Sequence, residues 1–105
     1  MSWFYVAAAG ILEILWAYAM KQSHGFTKVA PTIVTLVAMV GSFGLLSLAM
    51  RTLPLGTAYT VWTGIGAVGA FLVGVAFLGE SVTLLRLAAA GLILTGLLMM
   101  RVSAS

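Results

Sequence analysis

The chain has 105 residues, of which 63% are hydrophobic and 7% charged, and its mean hydropathy is +1.20. A soluble domain cannot hide that much apolar surface, so composition selects an integral membrane protein. The net charge of +3 comes from basic residues placed singly between apolar runs, which form no patch for a nucleic acid, and with no cysteine and a single histidine there is neither a disulfide framework nor a metal site.

At roughly 20 residues per span, four helices would use about 80 residues and leave only short loops. The charges fall where those loops belong. The first apolar run predicts a helix over about residues 3–20; it lacks a basic flank and a cleavage site, and is expected to be a retained helix rather than a signal peptide. Lys21 to Lys28 forms the first loop, with Gly25 placed to stop one helix and Thr27 to cap the next. A second helix is predicted over 29–50, with Pro31 tolerated in its first turn because an N–H there has no intrahelical acceptor. Arg51 to Gly56 reads as a tight turn, a third helix covers about 57–78, and Gly79 to Thr83 leads to a fourth over about 84–100. The expected architecture is therefore an all-α membrane protein, one transmembrane domain over residues 1–105 with four transmembrane helices per monomer.

Small residues suggest where helices meet, because in lipid helices approach closely only where side chains are short. Gly66, Ala70 and Gly74 recur every fourth residue on the third helix, and Ala89 and Gly96 lie seven apart on one face of the fourth. The segment Gly64-Ile65-Gly66-Ala67-Val68-Gly69 matches a dinucleotide-binding fingerprint letter for letter. It lies inside an apolar run with no strand before it, so the match carries no nucleotide chemistry.

Every charge lies near a predicted helix end except Glu13. A carboxylate in the middle of a membrane helix costs about 2.5–3.5 kcal/mol and normally marks an ion or proton path. Residues three and four apart share a helix face, which puts Gly10, Glu13, Trp16, Ala17 and Met20 together, and likewise Tyr59, Trp62, Thr63 and Gly66. With Ser42 and Ser47 on the second helix, the bundle holds one acid, several aromatic hydrogen-bond donors and hydroxyls. Such a set suits a small organic cation, the carboxylate supplying charge and the rings their faces. The competing reading places Trp3, Tyr59 and Trp62 in interfacial belts. Enzyme chemistry has little support, since Glu13 has no buried His or Lys partner in prospect and His24 sits in a loop.

Insertion orientation is nearly undetermined. Arg51 and Arg101 would lie on one side of the membrane and Lys21, Lys28 and Arg86 on the other, almost no bias by the positive-inside rule. Copies inserted in both orientations could pair into an antiparallel dimer.

The run Gly10-x-x-Glu13-x-x-Trp16-Ala17, then Lys21, Gly25-Phe26-Thr27 and Pro31, then Leu53-Pro54-x-Gly56-Thr57-Ala58-Tyr59-x-x-Trp62-Thr63-Gly64-Ile65-Gly66, resembles the small multidrug resistance family over nearly the whole chain. Trp16 after the glutamate, with Trp62-Thr63-Gly64, is similar to its guanidinium-exporting subtype rather than to its exporters of polyaromatic cations. The resemblance implies a proton-coupled antiporter in the bacterial inner membrane, working as an antiparallel homodimer on guanidinium, with protons as the exchanged ion and no cofactor. It further implies Glu13 as the shared proton and substrate site, Trp16, Ser42, Tyr59 and Trp62 around it, Gly64 and Gly66 as a helix bend, and the fourth helix, with Ala89 where many members have glycine and Gly96, as dimer contact. A broader exporter of quaternary ammonium cations and a non-transporting membrane subunit are the alternatives.

Overall fold

The computed structural model describes residues 2–103. Four helices follow one another, α1 (Ser2–Gln22), α2 (Val29–Ala49), α3 (Leu55–Phe77) and α4 (Leu84–Ser103), and all four are long and apolar enough to cross a membrane. The helix ends depart from the sequence reading in physically simple ways. Pro54 is not inside a turn but caps α3, its carbonyl accepting the Ala58 N–H at 3.0 Å, so the helix starts at Leu55, two residues earlier than predicted. Thr27 does not cap α2. Its hydroxyl donates back to the carbonyls of Ser23 (3.1 Å) and His24 (2.9 Å), and Lys28 occupies the cap position without a side-chain bond.

The end of α1 is closed by Ser23, a fully buried residue whose hydroxyl donates to the Met20 carbonyl at 2.6 Å and accepts the Phe26 N–H at 3.0 Å. The chain then turns through left-handed backbone at His24, Gly25 and Phe26, with φ of 50°, 73° and 67°. Only the glycine takes that conformation without steric cost, which makes this a shape imposed by the flanking hydrogen bonds rather than by local preference.

The packing is uneven. α1 lies between α2 and α3, while the α4 backbone approaches only α3 among the described residues. On α2 the buried residues are Thr35, Ala38, Ser42, Leu46 and Ala49, spaced by threes and fours along one stripe that faces α1. The core, Val6, Ala9, Leu46, Ala49, Ala58, Val61 and Trp62, draws on the start of α1, the end of α2 and the start of α3, so it sits at the membrane face that carries the α2–α3 turn. Toward the opposite face α1 and α3 line an apolar recess of about 370 Å³, formed by Ile11, Ile14, Leu15, Tyr18, Val73 and Phe77.

No residue of α4 is buried, and a Cβ added at Gly91 or Gly96 would meet nothing within 4 Å. Two arginines fasten this helix at its ends. The Arg101 guanidinium lies 4.6 Å from the centre of the Trp3 ring, and that of Arg86 lies 5.2 Å from the centre of Phe71. Overall the chain is a slab of 42 × 34 × 16 Å. Its thinnest dimension is no more than about two packed helices deep, which leaves broad helix faces without a protein neighbour.

Candidate functional site

The glycines that imitate a nucleotide-binding fingerprint are close-packing points between helices. A Cβ at Gly64 would strike Leu97 of α4; at Gly66, the carboxyl of Glu13; at Gly69, the side chain of Ile14. α1 reciprocates at Gly10, where a Cβ would stand 2.6 Å from Ile65 Cγ2. Side chains of α1 thus sink into α3 at glycines three residues apart, and Glu13 is one of them. α3 is helical without interruption through this segment.

That seating puts the carboxyl group on bare backbone. One of its oxygens, Oε1, is enclosed without a hydrogen-bond partner among the described residues, and so is the indole Nε1 of Trp16 one turn further along α1. A buried acceptor and a buried donor without partners are each costly, on the order of 1–3 kcal/mol, and structures retain such groups chiefly where a ligand or a functional exchange uses them.

Beside them runs a chain of hydrogen bonds across three helices. The indole N–H of Trp62 on α3 donates to the Ser42 hydroxyl on α2 at 2.9 Å, and that hydroxyl donates to the Ala9 carbonyl on α1 at 2.7 Å. Both bonds are buried. Ser42 therefore spends its single proton on backbone one turn before Glu13, and it aligns Trp62 toward the same seam. Replacing Ser42 with alanine leaves the Trp62 N–H unpaired and unties α2 from α1. We expect a loss of about 1–2 kcal/mol in the unfolding free energy of detergent-solubilised protein, with an altered Trp62 fluorescence, read by titration with a denaturing detergent.

The aromatic residues form a connected row. Trp16 meets Phe43 edge-on at a centroid separation of 6.4 Å, Phe43 meets Trp62 at 5.8 Å, and Trp62 meets Tyr59 at 5.5 Å. Trp62 is buried, whereas Tyr59 is half exposed at the open side. The structure thus removes Trp62 from an interfacial belt. Phe43 is the member of the row that sequence reasoning did not single out; its position next to Ser42 is the signal that could have found it. The Ala9 carbonyl was equally silent, because a backbone acceptor leaves no trace in sequence. Ser47 and Thr63 are exposed and make no side-chain hydrogen bond among the described residues. Ala89 is exposed and Gly96 partly so, both on the helix whose backbone approaches only α3 among the described residues.

A four-helix membrane protein with an acid seated on the seam between two helices, flanked by a row of aromatic rings, has the makings of a small-cation transporter. The chain belongs to the small multidrug resistance family: the family profile described as Small Multidrug Resistance protein matches residues 1–93. It is 52% identical over 103 residues to the Guanidinium exporter of Citrobacter freundii, covering 98% of each chain. Proteins of that name from Salmonella typhimurium strain LT2 (52% over 104 residues, 99% of each chain) and Yersinia pseudotuberculosis (53% over 98 residues, 93% of this chain and 94% of the other) are similarly related. The family resemblance carried by the motifs extends over nearly the whole chain. The chain is a multi-pass membrane protein of a transporter family, with relatives named as exporters rather than enzymes.

Proposed function

We propose that the chain is a proton-coupled antiporter that exports guanidinium and small guanidinyl cations across the bacterial inner membrane. The observation that carries this reading is the Glu13 carboxyl, seated on Gly66 with an enclosed oxygen that no group among the described residues satisfies. A guanidinium ion is planar and offers N–H donors in a fork that matches a carboxylate, and its face can stack on aromatic rings. Trp16, Trp62 and Tyr59 supply those rings, with Phe43 behind them and Ser42 holding Trp62 in place. Relatives of more than 50% identity carry the name Guanidinium exporter over almost their whole length, which supports the substrate.

The working unit is a homodimer of oppositely inserted copies. The near-even division of basic residues between the two sides supports insertion in both orientations. The thin slab and α4, which packs against α3 alone and has no buried residue, with Ala89 and Gly96 on its surface, support a partner on that side. Each Glu13 carries a proton or a cation, never both, so a dimer that opens to alternate sides exchanges protons moving in for cations moving out. The moving part is α3 at Gly64 and Gly66, where the absence of side chains permits a bend and lets the α1 and α4 contacts slide.

The test is transport in sealed vesicles. Purified protein reconstituted into liposomes should move radiolabelled guanidinium against its gradient when a pH gradient is imposed, and movement should reverse when the pH gradient is reversed. Guanidinium movement that ignores the pH gradient would exclude proton coupling, and no movement would exclude the function.

A further inference from the structure

Glu80 is the second acidic residue of the chain and takes no part in the site above. Its carboxylate rests against Gly74 of α3, where an added Cβ would stand 2.6 Å from Oε2. Left-handed backbone at Gly79 (φ 69°) turns the chain back so that the Glu80 N–H reaches the Gly74 carbonyl at 3.1 Å, and this fixes the carboxylate against the helix. Gly66, Ala70 and Gly74 lie on one row of α3, so both acids of the protein are cradled by the same row. Eight residues separate their cradles, roughly 12 Å along the helix. Between them lies a recess of about 140 Å³ lined by Ile14, Ala17, Tyr18, Lys21, Ala70 and Glu80, among others.

Glu80 already holds a guanidinium, and it is the chain's own. Arg86 Nη2 donates to Glu80 Oε1 at 3.1 Å, the one ion pair among the described residues, while the same guanidinium lies 5.2 Å from the centre of the Phe71 ring. A carboxylate and an aromatic face around a guanidinium are the elements inferred at Glu13. Both partners of the pair are about two-fifths exposed, so an ion pair of this kind is weakly held and a dissolved cation can reach it.

We propose that Glu80 and Phe71 form an outer guanidinium site, with Arg86 as its tethered occupant and competitor; Glu80 lines the end of the α1–α3 seam, and Phe71 and Arg86 line the adjoining recess between α3 and α4. A guanidinium entering or leaving along the seam exchanges with Arg86, which returns to Glu80 once the ion has passed. Arg86 also keeps Glu80 from retaining the substrate. The proposal rests on the guanidinium reading of the central site for its transport role, but binding at Glu80 can be measured without transport.

The experiment uses full-length protein in detergent at low ionic strength, with millimolar guanidinium chloride as probe and Glu13→Gln in every sample to silence the central site. Binding is followed by calorimetry, with helical circular dichroism checking that each variant is folded. Adding Arg86→Ala should strengthen the remaining guanidinium binding by about twofold to fivefold, the range that removal of an exposed, weakly held competitor allows. Adding Glu80→Gln to that pair should abolish the gain, and adding Phe71→Leu instead should weaken binding roughly twofold to fivefold. Should Arg86→Ala unfold the protein, Arg86→Lys keeps the charge without the planar fork and should give a smaller gain, again lost with Glu80→Gln. No gain on removing Arg86, or a gain that survives Glu80→Gln, overturns the proposal. The wild type in vesicles tests the transport reading separately, so the two fail on different measurements.

Discussion

Glu13→Gln is expected to abolish pH-driven guanidinium transport while leaving the protein folded. Glutamine keeps the size and hydrogen-bonding capacity of the side chain on Gly66, so the packing between α1 and α3 should persist. It loses the negative charge and the exchangeable proton together. Removing one partner of a desolvated charge pair costs about 2–5 kcal/mol, which is roughly thirtyfold or more in affinity. Guanidinium binding at the central site should fall by at least that factor, and transport coupled to a pH gradient should disappear. Equilibrium binding and vesicle flux on the same preparation, with helical content as control, check both. A Glu13→Gln protein that still exchanged guanidinium for protons would place the coupling elsewhere, and a protein unchanged in every assay would favour a structural role.

Gly66→Ala is the second substitution with a large expected effect, and it acts through position rather than charge. The new methyl group would overlap the Glu13 carboxyl, which must swing away from the seam. A displacement of about 1 Å at a working group can cost on the order of a hundredfold in rate. We expect guanidinium flux to drop tenfold to a hundredfold. The neighbouring Gly64→Ala meets Leu97 of α4 instead, so it should loosen α4 with no direct effect on the carboxyl. Gly56→Ala, where a Cβ meets nothing within 4 Å, is the control. Parallel flux and thermal-stability measurements separate the outcomes. Equal flux for Gly66→Ala and Gly56→Ala would mean that the cradle does not place Glu13.

The helices were legible because each apolar run is long and charges mark its ends, a signal that depends on no tertiary detail. Glu13 was legible for the same reason, as the single charge inside such a run. Helical spacing correctly paired Trp62 with Gly66 on the inward side of α3, but it also put Tyr59 and Thr63 there. Both are exposed in the folded chain, because the buried arc of α3 is narrower than a face drawn on a helical wheel. What could not be read was the partner of each small residue. Gly64, Gly66 and Gly69 lie within five positions of one another, yet the first receives α4 and the other two receive α1. That division follows from the crossing of three helices, which no local pattern encodes. The caps were missed for a different reason. Thr27 has the chemistry of a capping residue, but its hydroxyl donates to the carbonyls of Ser23 and His24 in the turn before it. The carbonyl of Ala9 and the ring of Phe43 complete the surroundings of Trp62 without any distinguishing residue type, so they emerge only once α1, α2 and α3 are brought together.

If one carboxyl serves proton and cation in turn, guanidinium binding must release a proton. Guanidinium is added to weakly buffered, detergent-solubilised protein and the proton yield is read with a pH indicator. Release is expected from the wild type, greatest at pH values where Glu13 starts protonated, with weaker guanidinium binding as the medium is acidified because protons compete for the same oxygen atoms, and no release is expected from Glu13→Gln. Guanidinium binding to the wild type without release at any pH, or equal release from wild type and Glu13→Gln, would contradict that shared role.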